Sequence, residues 1–458
     1  MSDNQTPSPS MAGMPFADVS DPDPDRNLAR VGPDPLADAF LEKFTIHAGQ
    51  AGPMLSGTEA GEAYRARLVS PGGPLAFYVH FPFCKGRCLF CGFAGKSPAG
   101  GLGESYCRAV ASEIEHLARA TGPRGPARTV YFGGGTPSSL DPADLSRVLS
   151  AVRSCVPLAN DCEITLEGAV HDFTPASMDG FLKAGFNRFS IGIQSFDTAV
   201  RRGMGRVLSG DEAAARLSEV CSLDMAAVVI DLIYGLPGQT PEVFSRDLEV
   251  AAETGLDGLD TYQLNVFPGG ELESAAKEGK VPPPVPLSGQ GRYYALAWER
   301  LGRKGFRSLS LSHYARSSRE RNIYNPWAKR RRDCLAAGAG AGGFLAGWAS
   351  YRRPDPKSYV DAAARGEFAP DFVTAPPSSG AIISFIVGEM EEGRLDLREL
   401  VSRFGPSPDA LARLLDNWVE AGLAEIRDEL LTMTVAGRFW GVNLTQAVVE
   451  TLAAASGS

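Results

Sequence analysis

From Leu75 onward, short β-rich runs alternate with helical stretches, and this alternation restricts the chain to an α/β fold more than any other feature does. The β-rich runs cover 75–83, 129–132, 163–167, 188–194, 226–234 and 258–266. Helical patterns over 104–120, 142–156, 175–184, 210–223 and 241–253 separate them. Strand–helix–strand units imply parallel pairing, because only a crossover helix returns the chain to the same end of a sheet. Six units predict a partial (β/α)6 barrel. Each chemically unusual motif falls at the end of a strand, the end that forms the active face of such barrels.

The flanks divide the remaining chain. Residues 1–40 are rich in Pro and Asp and poor in bulky apolar groups, so they predict a disordered tail. The barrel and its N-terminal extension occupy 41–290, a further segment on the substrate side runs over 291–375, and 376–458 returns to helices around a short β segment, an α+β unit of winged-helix type. Residues 381–458 hold six Arg and no Lys against twelve Asp plus Glu, a poor footprint for phosphate contact. The whole chain, at net −9, gives no general affinity for nucleic acid or an anionic membrane. No apolar run is long enough to span a bilayer, and the polar start lacks the pattern of a secretory signal, so the cytoplasm is the expected compartment.

Eight cysteines without a regular framework read as thiols or metal ligands. Three lie in one loop after the first strand, Cys84-Lys-Gly-Arg-Cys88-Leu-Phe-Cys91. Structural zinc sites ordinarily take four protein ligands. Three thiolates instead suit a [4Fe–4S] cluster with one iron left open. Cys107, Cys155, Cys162, Cys221 and Cys334 lack ligand spacing and read as ordinary buried thiols.

The C-x₃-C-x₂-C loop, with Phe90 before its third cysteine, resembles the radical S-adenosylmethionine (SAM) enzymes, and residues 78 to about 268 resemble the branch of the oxygen-independent coproporphyrinogen III dehydrogenases. The resemblance implies that Cys84, Cys88 and Cys91 hold the cluster and that SAM occupies the open iron. It places Gly133-Gly134-Gly135-Thr136 against the SAM amino group, Glu167 on its methionine part, Gln194 and Asp231 on its ribose, and Arg206 on its carboxylate. Tyr78 is expected to border two SAM sulfoniums. The branch's dehydrogenases carry a fourth cysteine where this chain has Phe93, and its haem chaperones usually have Asp where this chain has Gly92. Cys-Gly-Phe is more similar to the class C radical SAM methyltransferases of anaerobic haem utilisation.

That resemblance implies a C-methyltransferase using two SAM molecules, one cleaved to a deoxyadenosyl radical and one giving its methyl carbon to a tetrapyrrole, with haem opened to a linear product and iron released. It also implies an electron donor such as flavodoxin or a flavin reductase. A methylase or cyclopropanase of a heteroaromatic natural product, a coproporphyrinogen III dehydrogenase and a haem chaperone are the alternatives. Residues 316–332 hold seven basic side chains and one acid, suited either to haem propionates or to a solvated loop. His313 reads as a haem ligand or a satisfied structural histidine.

Overall fold

The computed structural model describes residues 26–44, 52–92, 95–405 and 409–455. Six parallel strands form its centre: β1 (Leu75–Phe81), β2 (Ala127–Gly134), β3 (Leu158–Ala169), β4 (Arg188–Gln194), β5 (Ala227–Tyr234) and β6 (Gly258–Gln263), hydrogen-bonded in that order. The crossover helices are α1 (Leu102–Ala120), α2 (Pro142–Cys155), α3 (Pro175–Ala184), α4 (Gly210–Ser222) and α5 (Pro241–Glu253). Local chemistry sets their starts. Asp141, Thr174 and Thr240 each cap a helix with Pro at its first position, where the missing N–H costs nothing. Ser209 and Glu212 form a reciprocal capping box at the start of α4.

Strand pleating sorts the side chains into two sets. Phe77, Val79, Val130, Phe132, Leu166, Phe189, Ile191, Ile230 and Leu232 are buried in the apolar core. The alternate positions, including Tyr78, Tyr131, Glu167, Ser190, Asp231 and Asp260, line a polar interior.

Two features lie beyond the sequence reading. The parallel sheet continues past β1: Cys334–Ala337 pairs parallel with it, and Gly342–Leu345 and Trp348–Tyr351 follow in antiparallel register. The sheet is open, with Met54–Ser56 at one edge and Arg307–Ser308 at the other. The second feature corrects the expected tail. Residues 1–25 lie outside the described residues, but 26–40 are ordered against the C-terminal unit. Asn27 donates to Glu450 at 2.9 Å, the Ala29 backbone pairs with both ends of the Asn417 amide, and Trp440 Nε1 donates to the Pro35 carbonyl at 2.8 Å. Side-chain pairing and the burial of a few apolar groups, Phe40 against Trp440 at 5.4 Å among them, together order this segment.

The C-terminal unit runs helix (Gly380–Glu391), strand (Arg394–Asp396), two helices (Leu397–Phe404 and Asp409–Glu420), and a hairpin (Ala424–Arg427 and Leu430–Met433), the order of a winged helix. Asn417 lies on its third helix, the face that residues 26–44 cover. No helix of the described residues is long and apolar enough to cross a membrane.

Candidate active site

A cavity of about 710 Å³ opens at the C-terminal ends of β1–β6. Cys84, Cys88 and Cys91 all line it. The loop carrying them is fixed by its backbone: Cys84 N–H donates to the Lys96 carbonyl at 2.9 Å, and Leu89 N–H to Met204 at 3.2 Å. Cys84 Sγ sits 3.4 Å from Thr136 Oγ1, and Arg206 Nη1 donates to Cys88 Sγ at 3.2 Å. A Cβ on Gly95 would stand 2.6 Å from Cys84 Sγ, so only glycine lets the returning loop pass this sulfur. Among the described residues no three His, Cys, Asp or Glu side chains converge as a metal-binding set in their present rotamers. The thiols face the cavity as separate donors. The other five cysteines lie away from this wall, with burial pushing each thiol up to about 12.

Across the cavity, the glycine turn after β2 is taut. Gly135 and Thr136 N–H donate to the Phe81 and Phe83 carbonyls, and Gly134 N–H to Glu167 Oε2 at 3.0 Å. With these donors committed, the turn offers an incoming ligand acceptors, which an ammonium group requires. Gly133 does not line the cavity; a Cβ there would press on Glu167 at 2.8 Å. Glu167 also accepts from Tyr131 at 2.6 Å, and burial raises its carboxyl against these two hydrogen bonds.

Gln194 ends β4 at φ +67°, a left-handed backbone that non-glycine residues rarely adopt. It is 8% exposed, and its Oε1 has no partner, a buried acceptor aimed at this cavity. Its amide folds over Gly192, where a Cβ would be 2.7 Å from Nε2. Such strain persists where the surroundings over-determine it, typically at ligand sites. Arg206 reaches the wall at Gly192, donating to its carbonyl. Asp231 stands in register with Asp260, and burial, then repulsion from Asp260, raises its carboxyl to about 7.

Tyr131, which lines the cavity, and Tyr324 and His80, which contact its lining residues, escaped the sequence reading. The Tyr324 ring stacks on those of Tyr131 and Tyr78 at centroid distances of 4.3 and 5.6 Å. His80 Nδ1 lies 2.9 Å from the Tyr78 hydroxyl, and burial lowers its pKa to about 4. The alternation of Tyr78 and His80 along one face of β1 was the available signal.

The segment after β6 closes the barrel from below. His313 is fully buried, Nδ1 at 2.8 Å from Asp260 and Nε2 at 3.1 Å from Glu320, which in turn takes a bidentate contact from Arg188 at 3.0–3.2 Å. Both ring nitrogens are engaged, so the structural reading of His313 holds and the haem-ligand reading is corrected. Four of the seven basic residues in 316–332 are likewise engaged by acidic side chains. Arg319 pairs with Asp224 and Arg321 with Asp161 near the N-terminal ends of β5 and β3, Lys329 with Glu391, and Arg330 with Glu389 and Glu392. Those arginines clamp the underside, opposite the cavity mouth. The Phe93 position lies outside the described residues. A Cβ on Gly92 would stand 2.8 Å from the Phe267 ring, so a larger residue there forces that ring to move.

Comparison with known proteins follows this geometry. The sequence profile of the Radical SAM superfamily matches residues 78–251. The chain is 38% identical over 375 residues to the anaerobilin synthase of Escherichia coli O157:H7, covering 81% of this chain and 83% of that one. It is 31% identical over 386 residues to the heme chaperone HemW of Mycobacterium tuberculosis, covering 83% and 95%. In structure it is similar to the coproporphyrinogen III oxidase HemN of Escherichia coli, with a TM-score of 0.71, 24% identity, and coverage of 84% and 92%.

Proposed function

The chain belongs to the radical SAM superfamily, in the branch that contains HemN and HemW, and from that premise we propose that it methylates a tetrapyrrole carbon and opens haem to a linear product with release of iron. Its family cofactors are a [4Fe–4S] cluster and SAM. When bound, they supply reductive cleavage of a sulfonium to a 5′-deoxyadenosyl radical. The donor set fits them. Three cysteines and no fourth line the cavity among the described residues, leaving an iron for SAM, and the buried, unpartnered Gln194 oxygen needs a ligand hydroxyl.

In this reading Cys84, Cys88 and Cys91 hold the cluster, and Arg206 turns its guanidinium from Cys88 to the SAM carboxylate, a planar fork matched to that anion. The acceptors around Gly134, Gly135 and Thr136 receive the SAM amino group. Glu167 keeps the glycine turn in place and borders the methionine part. Gln194 and Asp231 take the ribose hydroxyls. Tyr78 borders the two SAM molecules, and the closed underside keeps bulk water from the reacting carbon.

One observation carries the choice of haem. Identity to anaerobilin synthase is 38% over 375 residues, against 31% over 386 residues to HemW, although both alignments run well beyond the superfamily match at 78–251. The chaperone reading has its own support in the near-complete coverage of HemW. Anaerobic incubation of the cluster-loaded protein with haem, a strong reductant and methyl-labelled SAM tests both. Loss of haem absorbance with label in an iron-free linear tetrapyrrole is expected. Intact haem despite catalytic deoxyadenosine release refutes the substrate assignment, and less than one deoxyadenosine per cluster favours a carrier.

A further inference from the structure

Three tyrosines from distant parts of the chain meet beside the cavity. Tyr78 and Tyr131 line the cavity, and Tyr324 packs on both with interplanar angles of 18° and 24°. Tyr78 and Tyr131 themselves stand 6.3 Å apart, so each of the three rings touches the other two in a triangular cluster. Two of the phenols carry a hydrogen-bonded base: His80 Nδ1 lies 2.9 Å from the Tyr78 hydroxyl, and the Tyr131 hydroxyl donates to Glu167 Oε1 at 2.6 Å. A phenol beside an acceptor can lose an electron and pass its proton locally, avoiding a high-energy cation in a dry site.

His80 is held for that task. Its carbonyl accepts from Tyr106 at 2.8 Å, and its ring packs so tightly against Gly134 and Gly340 that a Cβ would approach within 2.7 and 3.2 Å. Burial keeps the imidazole neutral, so a ring nitrogen lone pair is free to accept the Tyr78 O–H, and the 2.9 Å contact gives the proton a short path once the phenol is oxidised and strongly acidic.

We infer that the Tyr78–Tyr324–Tyr131 trio is a one-electron relay that quenches the carbon-centred radical left on the tetrapyrrole, with Tyr78 giving the electron and His80 receiving its phenolic proton. The tetrapyrrole radical gains that electron and a proton from solvent, forming one C–H bond, and becomes closed-shell. Tyr78 becomes a neutral phenoxyl and His80 an imidazolium. The vacancy passes through the trio, Tyr131 being oxidised as its proton moves to Glu167. One electron from a low-potential one-electron donor, the class of reductant the reaction needs to begin, restores the phenol as the base returns its proton. The net change is radical plus electron plus proton to a C–H bond.

This relay rests on the proposed reaction, so its test has an arm without substrate. Photo-oxidation of the cluster-loaded protein by a ruthenium complex is followed by electron paramagnetic resonance. A tyrosyl signal that narrows with ring-deuterated tyrosine is expected in the native chain, and Tyr78→Phe is expected to weaken it severalfold; no such signal, or an unchanged one in the variant, overturns the relay. In turnover, Tyr78→Phe keeps the ring contacts but lacks the O–H, so closed-shell product per deoxyadenosine released should fall at least about tenfold, whatever the change in SAM cleavage itself. A native yield of product per deoxyadenosine in that variant also overturns the relay, while leaving the haem assignment standing. Haem left intact by the native chain, with the tyrosyl signal present, refutes the haem assignment and supports a redox-active tyrosine trio.

Discussion

Replacing His313 by Gln should remove a pH dependence of stability that the native chain possesses. The imidazole lies between Asp260 and Glu320, and Arg188 holds Glu320 from its other side. Burial alone would lower the His313 pKa, but the two carboxylates overcome it and raise the pKa to about 9. In the unfolded chain the value returns to about 6.5, so the folded state binds this proton more tightly by about 3 kcal/mol. That stabilisation is complete below about pH 6.5 and fades as pH rises through 9. The assay is the urea midpoint from pH 6 to 9.5, in native and His313→Gln proteins. Buried thiols raised to about 12 also lose stability above pH 9, but equally in both, so the difference isolates His313. The native chain should exceed the variant by about 3 kcal/mol at pH 6 and approach it at pH 9.5. A constant offset across the range would refute a charged His313.

Other outcomes follow from the same contacts. Glu320, held by Arg188 at about 2 despite its burial, gives stability present above about pH 4.5 and lost as pH falls through 2; Glu320→Gln should flatten this acid limb in the same urea series. Gln194→Ala deletes the unpartnered buried oxygen and should weaken SAM binding by about 1–2 kcal/mol, measured by equilibrium dialysis of cluster-loaded protein. Gly95→Ala puts a Cβ into Cys84 Sγ and should lower iron and sulfide per chain after reconstitution, whereas Cys334→Ala, away from the loop, should leave both unchanged. Asn417→Ala frees both ends of its contact with Ala29 and should expose residues 26–44 to limited proteolysis while the barrel resists.

Much of the molecule is written locally. The six strands follow from alternating and continuous apolar runs, and four of the five crossover helices announce themselves by an Asp, Thr or Ser cap, three of them followed by Pro. The cysteine loop and the glycine turn are legible as motifs that follow strands, whereas Glu167, Gln194, Arg206 and Asp231 are singled out by the family resemblance, and the fold brings all of them to one cavity. Gly133 is the exception: it shares a face of β2 with Tyr131, but Tyr131 and Glu167 cover it, standing 3.0 and 2.8 Å from where its Cβ would be.

Sequence by itself determined the α/β alternation, the trio of thiols and the strand-end set around them, since each depends on neighbours within a few residues. Only the tertiary structure decided what lies beneath. Arg188 meets Glu320 across 132 residues and His313 meets Asp260 across 53, so a stretch that reads as a basic loop becomes the barrel's charged floor. Tyr324 packs on both Tyr78 and Tyr131, and Asn417 finds Ala29 across 388 residues. Burying a charge or an amide is costly without a partner, and those partners are chosen by the completed fold, not by any periodicity along the chain.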